Sequence, residues 1–377
     1  MKVAIDLQPA LLARAGIGQY TYYLAKYLPR LSPSDRFVGL AFGRGCRDLD
    51  RLPLENFHVR RIGCIPRRAM NLLWRTIEWP PADVFTGPVD LFHFPSFVAR
   101  PLRAARAVVT IHDLAFRRMP ELSEQKNAAF LNGHVPRTLE RASLVLVDSR
   151  FTASELAELY GYPESKMRVV PLGVDESFHP RPTEESDQLR RQFELPAGFI
   201  LCVSTIEPRK NIGTLVQAYG LLREGSGKVP KLVLAGGEGW RGEDEKIGRL
   251  IAKLKLEGAV IRLRYIGHEM LPALYSAASL FVFPALYEGF GLPPLEAMAC
   301  GVPVICSDAP SLPEVVGDAA FFVPPRDAGH MAGAMKKLID DAALRQDLIK
   351  KGLDRAKRFT WTETARRTLN AYREALL

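Results

Sequence analysis

Short β-branched runs alternate with helical patterns along the whole chain. In the first half KVAID (2–6), DLFHF (90–94), AVVTI (107–111) and SLVLV (143–147) read as strands. Helices fit near 18–30, 123–141 and 150–160, the last with a capping box of Thr152 and Glu155. The stretch PLGVDESFHPRPTEESDQ (171–188) breaks the rhythm with Pro, Gly and charge, as a linker does. The alternation then restarts. GFILCVS (198–204), KLVLAG (231–236), VIRLRYIG (260–267), SLFVFP (279–284), PVIC (303–306) and FFVP (321–324) read as strands. Helices are expected from about 211, at about 327–339 and 342–356, and in a last amphipathic stretch at 361–376. This order predicts an α/β chain of two doubly wound domains, each a parallel sheet covered by helices. In such sheets ligands bind at the carboxyl ends of the strands.

Composition agrees with two soluble domains: 377 residues, 47% hydrophobic and 25% charged. No apolar run is long enough to span a bilayer. The opening MKVAIDLQPALLARAG is broken by Asp6, so a buried strand is expected there and not a secretory leader. Cys46, Cys64, Cys202, Cys300 and Cys306 form no CxxC pair, which predicts free thiols in a reducing cytoplasm. The seven His show no HxxxH or HExxH spacing, so no zinc site is expected.

The charge is uneven. Residues 1–180 carry 24 basic and 18 acidic side chains, +6 of the net +9, and 20 of the basic ones are Arg. Arg44, Arg47, Arg51, Arg60, Arg61, Arg67, Arg68 and Arg75 lie close together in sequence. Such a patch suits an anionic membrane or a phosphorylated acceptor as well as a plain solvated surface. Nucleic acid is not expected, because no recognised binding module accompanies the charge.

Four motifs carry chemistry. The densest is LYEGFGLPPLEAMACG (286–301), directly after a strand. Gly289 and Gly291 let a ligand come close to the backbone, and Pro293 and Pro294 suit the first turn of a helix whose free N–H groups favour an anion. Glu288 before the turn and Glu296 inside the helix start flank it. Beside a helix N-terminus they are expected to stay ionised and to accept hydrogen bonds from sugar hydroxyls. The plain alternative, a turn residue and an N-terminal charge, does not explain why both surround one Gly-Pro turn.

STIEPRKNI (204–212) puts Arg209 and Lys210 at the entry of another helix, against its dipole, which is unfavourable unless an anion sits there. That misfit argues for a phosphate site over two exposed bases. ARAGIGQYTYYLAKYL (13–28) places Gly16 and Gly18 between strand and helix, where backbone N–H groups could meet phosphate oxygens. TIHDLAF (110–116) puts His112 and Asp113 at a strand's carboxyl end, on the rim where ligands bind.

Together these motifs resemble the family 4 glycosyltransferases over nearly the whole chain. Most specific is a Glu, seven residues, Glu spacing, met by Glu288 and Glu296; the phrase PLGVD is also similar. The resemblance implies the GT-B fold, two Rossmann-like domains facing each other across a cleft. Residues 1–178 would bind the acceptor and 190–360 the donor, with 179–189 as linker and 361–377 packing back on the first domain. It further implies retaining transfer of a hexose from a nucleotide diphosphate sugar to a hydroxyl of a glycan or lipid-linked acceptor. Glu288 would contact the donor sugar, and His112 would sit beside it, the two catalytic positions. Gly16, Ile17, Gly18, Arg209, Lys210, Gly289, Phe290, Gly291 and Leu292 would meet the diphosphate. Glu296 would hold the ribose, with Gly267 and His268 beside the nucleoside.

The EPRKN phrase is most like mannosyl- and rhamnosyltransferases of polysaccharide and lipopolysaccharide assembly, which favours GDP-mannose. No cofactor or metal is implied: the sole close Asp-x-Asp, Asp48 with Asp50, lies outside the donor half. The implied location is cytoplasmic, with peripheral attachment to the inner membrane face as a variant.

Three departures stand out. Ile17 replaces a frequent second Gly, Ser204 replaces a frequent Arg, and GHEMLPALY (267–275) is about three residues short near the base. Rival readings are a non-catalytic sugar-nucleotide or polysaccharide-binding protein, an epimerase or a phosphorylase on the same fold. A nicotinamide-dependent dehydrogenase is another, since GEGWRG (237–242) fits GxGxxG with Glu257 further on. That fingerprint, however, normally opens the first βαβ unit of its domain, and here it follows the second strand, as a tight turn would.

Overall fold

A computed structural model describes residues 1–11, 16–43, 54–63, 65–225 and 227–377, and within them every side chain but that of Arg67. They form two compact units, one of Met1–Arg117, Lys126–Gly173 and Trp361–Leu377, the other of Arg118–Gln125 and Val174–Thr360. Arg44, Arg47, Arg51, Cys46, Cys64, Asp48 and Asp50 lie outside the described residues.

Among the described residues the first unit has seven strands, β1 (Lys2–Asp6), β2 (Arg36–Phe42), β3 (Phe57–Ile62), β4 (Leu91–Phe94), β5 (Arg106–Ile111), β6 (Leu144–Val147) and β7 (Met167–Val169). They run in the order β3-β2-β1-β4-β5-β6-β7, every pair parallel. The second unit has β8 (Phe199–Val203), β9 (Leu232–Ala235), β10 (Val260–Leu263), β11 (Ala278–Phe283), β12 (Val304–Ser307) and β13 (Ala320–Val323). Their order, β10-β9-β8-β11-β12-β13, repeats the pattern, again all parallel. The strand order reverses between β1 and β4 and between β8 and β11, the switch points where doubly wound sheets bind ligands.

The central strands are buried from end to end, which is why they read as unbroken apolar runs. Three strands carry no such run. In β2 the pattern is interrupted by Gly39, where an added Cβ would stand 2.2 Å from Leu7 Cδ1. Strand β3 is an edge strand with Arg60 exposed, and β7 has three residues. The helix Arg150–Tyr160 is capped by Ser149, whose hydroxyl accepts from the Thr152 N–H. This corrects the expected Thr152–Glu155 box by one turn. The helix Thr183–Gln192 begins inside the stretch read as a linker.

Gly239 of the GxGxxG stretch and Gly236 just before it have a packing cause. A Cβ on them would lie 1.9 Å from Ser204 O and 1.8 Å from Ile206 O, so the end of β9 can lie against the chain leaving β8 only without side chains. Gly237, the first glycine of the fingerprint, faces open space.

The helix Trp361–Leu376 belongs to the first unit and lies on the helix Ile17–Leu31. It buries Trp361, Ala365, Thr368, Leu369 and Tyr372, the three-and-four spacing of one apolar face. Trp361 stacks on Tyr23 with ring centroids 4.5 Å apart, and the Tyr372 hydroxyl meets His93 Nδ1 at 2.6 Å. Trp361→Ala should therefore destabilise the protein by about 3–5 kcal/mol, whereas Ala at the exposed Trp79 should change stability by less than about 0.5 kcal/mol. Urea unfolding of the two variants checks this; equal effects would mean that the last helix does not complete the first core.

Candidate active site

In the second unit, the chain leaving β8 and the chain leaving β11 meet at the switch point. The β8 segment turns through Pro208–Lys210 and enters the helix Ile212–Glu224 at Asn211, which has φ 58°. A left-handed backbone suits Asn better than most residues. The Asn211 amide donates to Pro284 O at 2.9 Å and to Pro325 O at 2.5 Å, tying this turn to the ends of β11 and β13. Leu286 N–H donates to Arg209 O at 2.8 Å, a direct backbone link between the two segments.

That link brings three predicted residues together. Lys210 Nζ pairs with Glu288 Oε1, and Arg209 reaches Glu288 Oε2 at 3.4 Å and Tyr287 O at 3.2 Å. Arg209 also holds Glu207 Oε1 at 2.9 Å. The Glu288 side chain is 9% exposed and that of Lys210 13%. Burial works to raise the Glu288 carboxyl, but Lys210 and Arg209 more than offset it and hold it below the ordinary carboxylate value. Glu207 goes the other way, pushed up by burial that Arg209 and Lys210 do not fully offset. The two cations thus have carboxylate partners inside the unit. This corrects the expectation that they stand uncompensated at a helix start.

Gly291, at φ 98°, opens the helix Leu292–Ala299, with Pro293 and Pro294 in its first turn. A Cβ at Gly291 would stand 2.4 Å from Leu312 Cδ2, so both the space and the backbone call for glycine. Phe290 is buried against Phe359. The turn is pinned from the other side by Ser311, whose hydroxyl donates to Glu288 O at 2.8 Å. Glu296 sits one turn into the helix, where it accepts from the Tyr275 hydroxyl at 2.9 Å. Burial pushes its carboxyl up to about 7, partly offset by Tyr275 and reinforced by Asp175. This corrects the expectation that it stays ionised throughout: the helix start does not outweigh lost solvent. Gly267 precedes a short turn, His268–Met270, and the His268 ring lies 5.2 Å from that of Phe178.

The remaining predicted residues belong to the first unit. Gly16, at φ 52°, precedes the helix that Ile17 and Gly18 begin. One turn later Tyr20 sets its ring edge-on to His112, centroids 4.9 Å apart. His112 leaves β5 buried, with Nδ1 2.7 Å from Asp148 Oδ2 at the end of β6 and Nε2 donating to Pro95 O at 3.0 Å at the end of β4. Burial works against a charged ring, but the Asp148 carboxylate and its hydrogen bond raise His112 above the ordinary imidazole value. With both nitrogens engaged, the ring has no free basic nitrogen to offer.

Glu207, Asn211, Tyr275, Ser311 and Asp148 complete these arrangements, and sequence reasoning missed all five. Among the described residues no group of three or more His, Cys, Asp or Glu side chains could hold a metal ion.

Two measurements follow from this geometry. Lys210→Ala leaves a buried carboxylate without its nearest cation and should cost about 3–5 kcal/mol of stability without ligand, while the double variant Lys210→Met with Glu288→Leu should recover much of the loss. Thermal melts of both decide; a single variant as stable as the parent would show that the pair does not hold the two loops. Around Glu296, the folded protein holds more proton than the unfolded chain from the ordinary carboxylate range up to about pH 7, so stability falls as pH rises through that window. Glu296→Gln should flatten this decline, measured as melting temperature between about pH 5 and pH 8. An unchanged slope would assign the decline to other groups.

The chain matches the family model of glycosyltransferase family 4 over residues 14–178 and that of the group 1 glycosyl transferases over residues 185–355. It is 34% identical over 388 aligned residues to the O-antigen chain mannosyltransferase B of Escherichia coli, covering 99% of this chain and 100% of that one. Sucrose-phosphate synthase from Thermosynechococcus elongatus has the same fold, with a TM-score of 0.77 at 23% identity over 99% of this chain and 98% of its own. So does HepE from Anabaena, solved with UDP and glucose, with a TM-score of 0.75 at 19% identity over 99% of each chain. Two matched family models and a relative aligned from end to end agree with the motif reading and with two parallel sheets of GT-B type: the chain belongs to the family 4 and group 1 glycosyltransferases and is an enzyme of sugar transfer.

Proposed function

We propose that this enzyme is a retaining mannosyltransferase that takes mannose from GDP-mannose and joins it to a hydroxyl of a lipid-linked glycan during assembly of a cell-surface polysaccharide. The full-length likeness to an O-antigen mannosyltransferase supports the sugar and the acceptor class. In the structure, the observation that carries the reading is the buried contact of Arg209 and Lys210 with Glu288 at the switch point of the second unit.

On this reading the donor diphosphate displaces Glu288 from the two cations. Backbone N–H groups at Gly289, Phe290, Gly291 and Leu292, and at Gly16, Ile17 and Gly18, would meet phosphate oxygens. Glu296 would take the ribose, and Gly267 and His268 would border the base. The C1–O bond to the diphosphate breaks while the acceptor oxygen bonds to C1 on the same face, and the acceptor proton passes to the leaving diphosphate. Arg209 and Lys210 stabilise the charge gathering there, and the released Glu288 carboxylate faces the positive sugar. His112 would border the transferred sugar, its ring held in place by Asp148 and Pro95.

No cofactor or divalent metal takes part in this scheme, since two cations already face the leaving group. Among the described residues no helix is long and apolar enough to cross a membrane. The proposed location is the cytoplasm, with peripheral attachment to the inner face of the membrane that carries the acceptor.

Incubation with GDP-, UDP- and ADP-sugars, followed by NMR of the product, tests the assignment. Transfer from GDP-mannose with an α-linked product, undiminished in EDTA, is expected. Transfer from a uridine donor alone would overturn the choice of base, and loss restored specifically by manganese would overturn the metal-free scheme. Glu288→Gln should slow turnover by roughly 10²–10³-fold, with turnover near that of the parent as the contrary result.

A further inference from the structure

Of the eight large apolar side chains that stand exposed among the described residues, four lie within residues 72–84 of the first unit: Leu72 at 61%, Ile77 at 60%, Trp79 at 62% and Val84 at 55%. Chance exposure scatters singly over a surface, whereas clusters mark a site of contact.

The helix Arg67–Thr76 shows why this cluster is not misplaced core. Met70 and Trp74 fix its inner side, both buried, and the Trp74 indole N–H donates to Pro80 O at 2.7 Å. Leu72 lies two residues from each, about 160–200° round the helix from them, and so faces away from the core. Arg68 and Arg75, four residues before and three after it, share that outward face and are exposed. The helix ends where Ile77 and Glu78 N–H groups both donate to Leu73 O, and Glu78, at φ 53°, turns the chain so that Ile77 and Trp79 stand in solvent.

Charge selects the partner. From residue 60 to residue 79 the chain carries five Arg and one Glu, with no Lys or Asp. That one acid is already neutralised: Glu78 is held by Arg137 at 3.2 Å and by Arg141, both reaching over from the helix Gln125–Arg141. Exposed Leu72, Ile77 and Trp79, close in the chain to the exposed Arg68 and Arg75, match the acyl boundary and the headgroups of an anionic bilayer, where indole rings sit between the two.

We propose that the helix Arg67–Thr76 and the turn after it dock onto an anionic lipid surface, with Leu72, Ile77 and Trp79 entering it and Arg68 and Arg75 on the headgroups. This rests on the peripheral attachment proposed above and names the face that makes it.

Co-sedimentation with phosphatidylglycerol-containing vesicles and with pure phosphatidylcholine vesicles, at low and high salt, tests it on the full chain. The parent should pellet with the anionic vesicles and less so at high salt. The triple variant Leu72→Ser, Ile77→Ser, Trp79→Ser should melt like the parent yet lose roughly tenfold or more in partitioning. Arg68→Glu with Arg75→Glu should lose a similar amount at low salt. Indole fluorescence should shift to the blue with anionic vesicles, and Trp79→Phe should remove that shift. A parent that pellets while the triple variant pellets equally would overturn this face and leave membrane attachment standing. A parent that ignores anionic vesicles would overturn both. Concentration-dependent dimers that the triple variant abolishes, with no vesicle binding, would give the face to a second copy of the chain and overturn the proposal.

Discussion

The second unit is organised around one expensive interaction, the buried pair of Lys210 and Glu288 with Arg209 beside it. Taking such charges out of water costs several kcal/mol per ion, and mutual attraction repays it only when geometry is tightly held. The surrounding structure does that holding. Asn211 pins the β8 segment to the ends of β11 and β13, Leu286 bonds back to Arg209, and Ser311 grips the carbonyl of Glu288 itself. Even the glycines after β9 fit here, since the chain that leads to Arg209 and Lys210 must pass over Gly236 and Gly239 without a side chain in its way. A stability-driven design would put apolar residues in these positions. Keeping charge where it costs most points to chemistry that needs it.

The first unit shows how the surroundings of one residue type decide its state. His93 and His112 are both buried at neighbouring strands, β4 and β5. His93 faces two hydroxyls, Tyr372 at 2.6 Å and Thr110 at 2.8 Å, and burial together with the nearby charge of His112 lowers it to about 3. His112 faces a carboxylate and is raised. A neutral histidine therefore ties the last helix into the sheet, while a second one, at the strand ends, has a carboxylate beside it that favours its protonated form. Tyr20 touches both arrangements, bonding Thr110 at 2.8 Å and packing against the His112 ring.

What could be read from the sequence follows from the same physics. Strands buried on both faces are unbroken apolar runs, so most were visible, including all six of the second unit; β2, β3 and β7 were not, because a packing glycine, an exposed edge and a three-residue length each erase the run. Among the site residues, Glu288, Arg209 and Lys210 were legible from their places beside glycine, proline and helix starts, but not their contact with one another. That contact joins positions 78 residues apart, and a local argument about helix dipoles had no means to see the carboxylate that answers the misfit. Tyr275 and Asp148 were invisible for the same reason. Each is ordinary in its own segment and acquires meaning from a partner 21 or 36 residues away. Glu296 shows the converse limit: its position on the helix was seen, but burial, which sets its proton, is not written in a helix start.

The ion pair also bears on how a site with no uncompensated charge could favour a diphosphate. A pair of exposed cations would attract any anion, phosphate or free nucleotide included, and would bind ground state and transition state alike. With Glu288 already in place, an incoming anion must displace a carboxylate that is buried and well held, so a weak or badly placed anion gains little. On the proposed reading a sugar diphosphate brings two phosphates to the cations and a sugar to the carboxylate they release. The displaced charge then moves from stabilising lysine to stabilising the positive sugar that forms as the bond breaks. The cost of desolvating Glu288 is met during folding, before substrate arrives, so on this reading the sugar would meet a carboxylate already stripped of water.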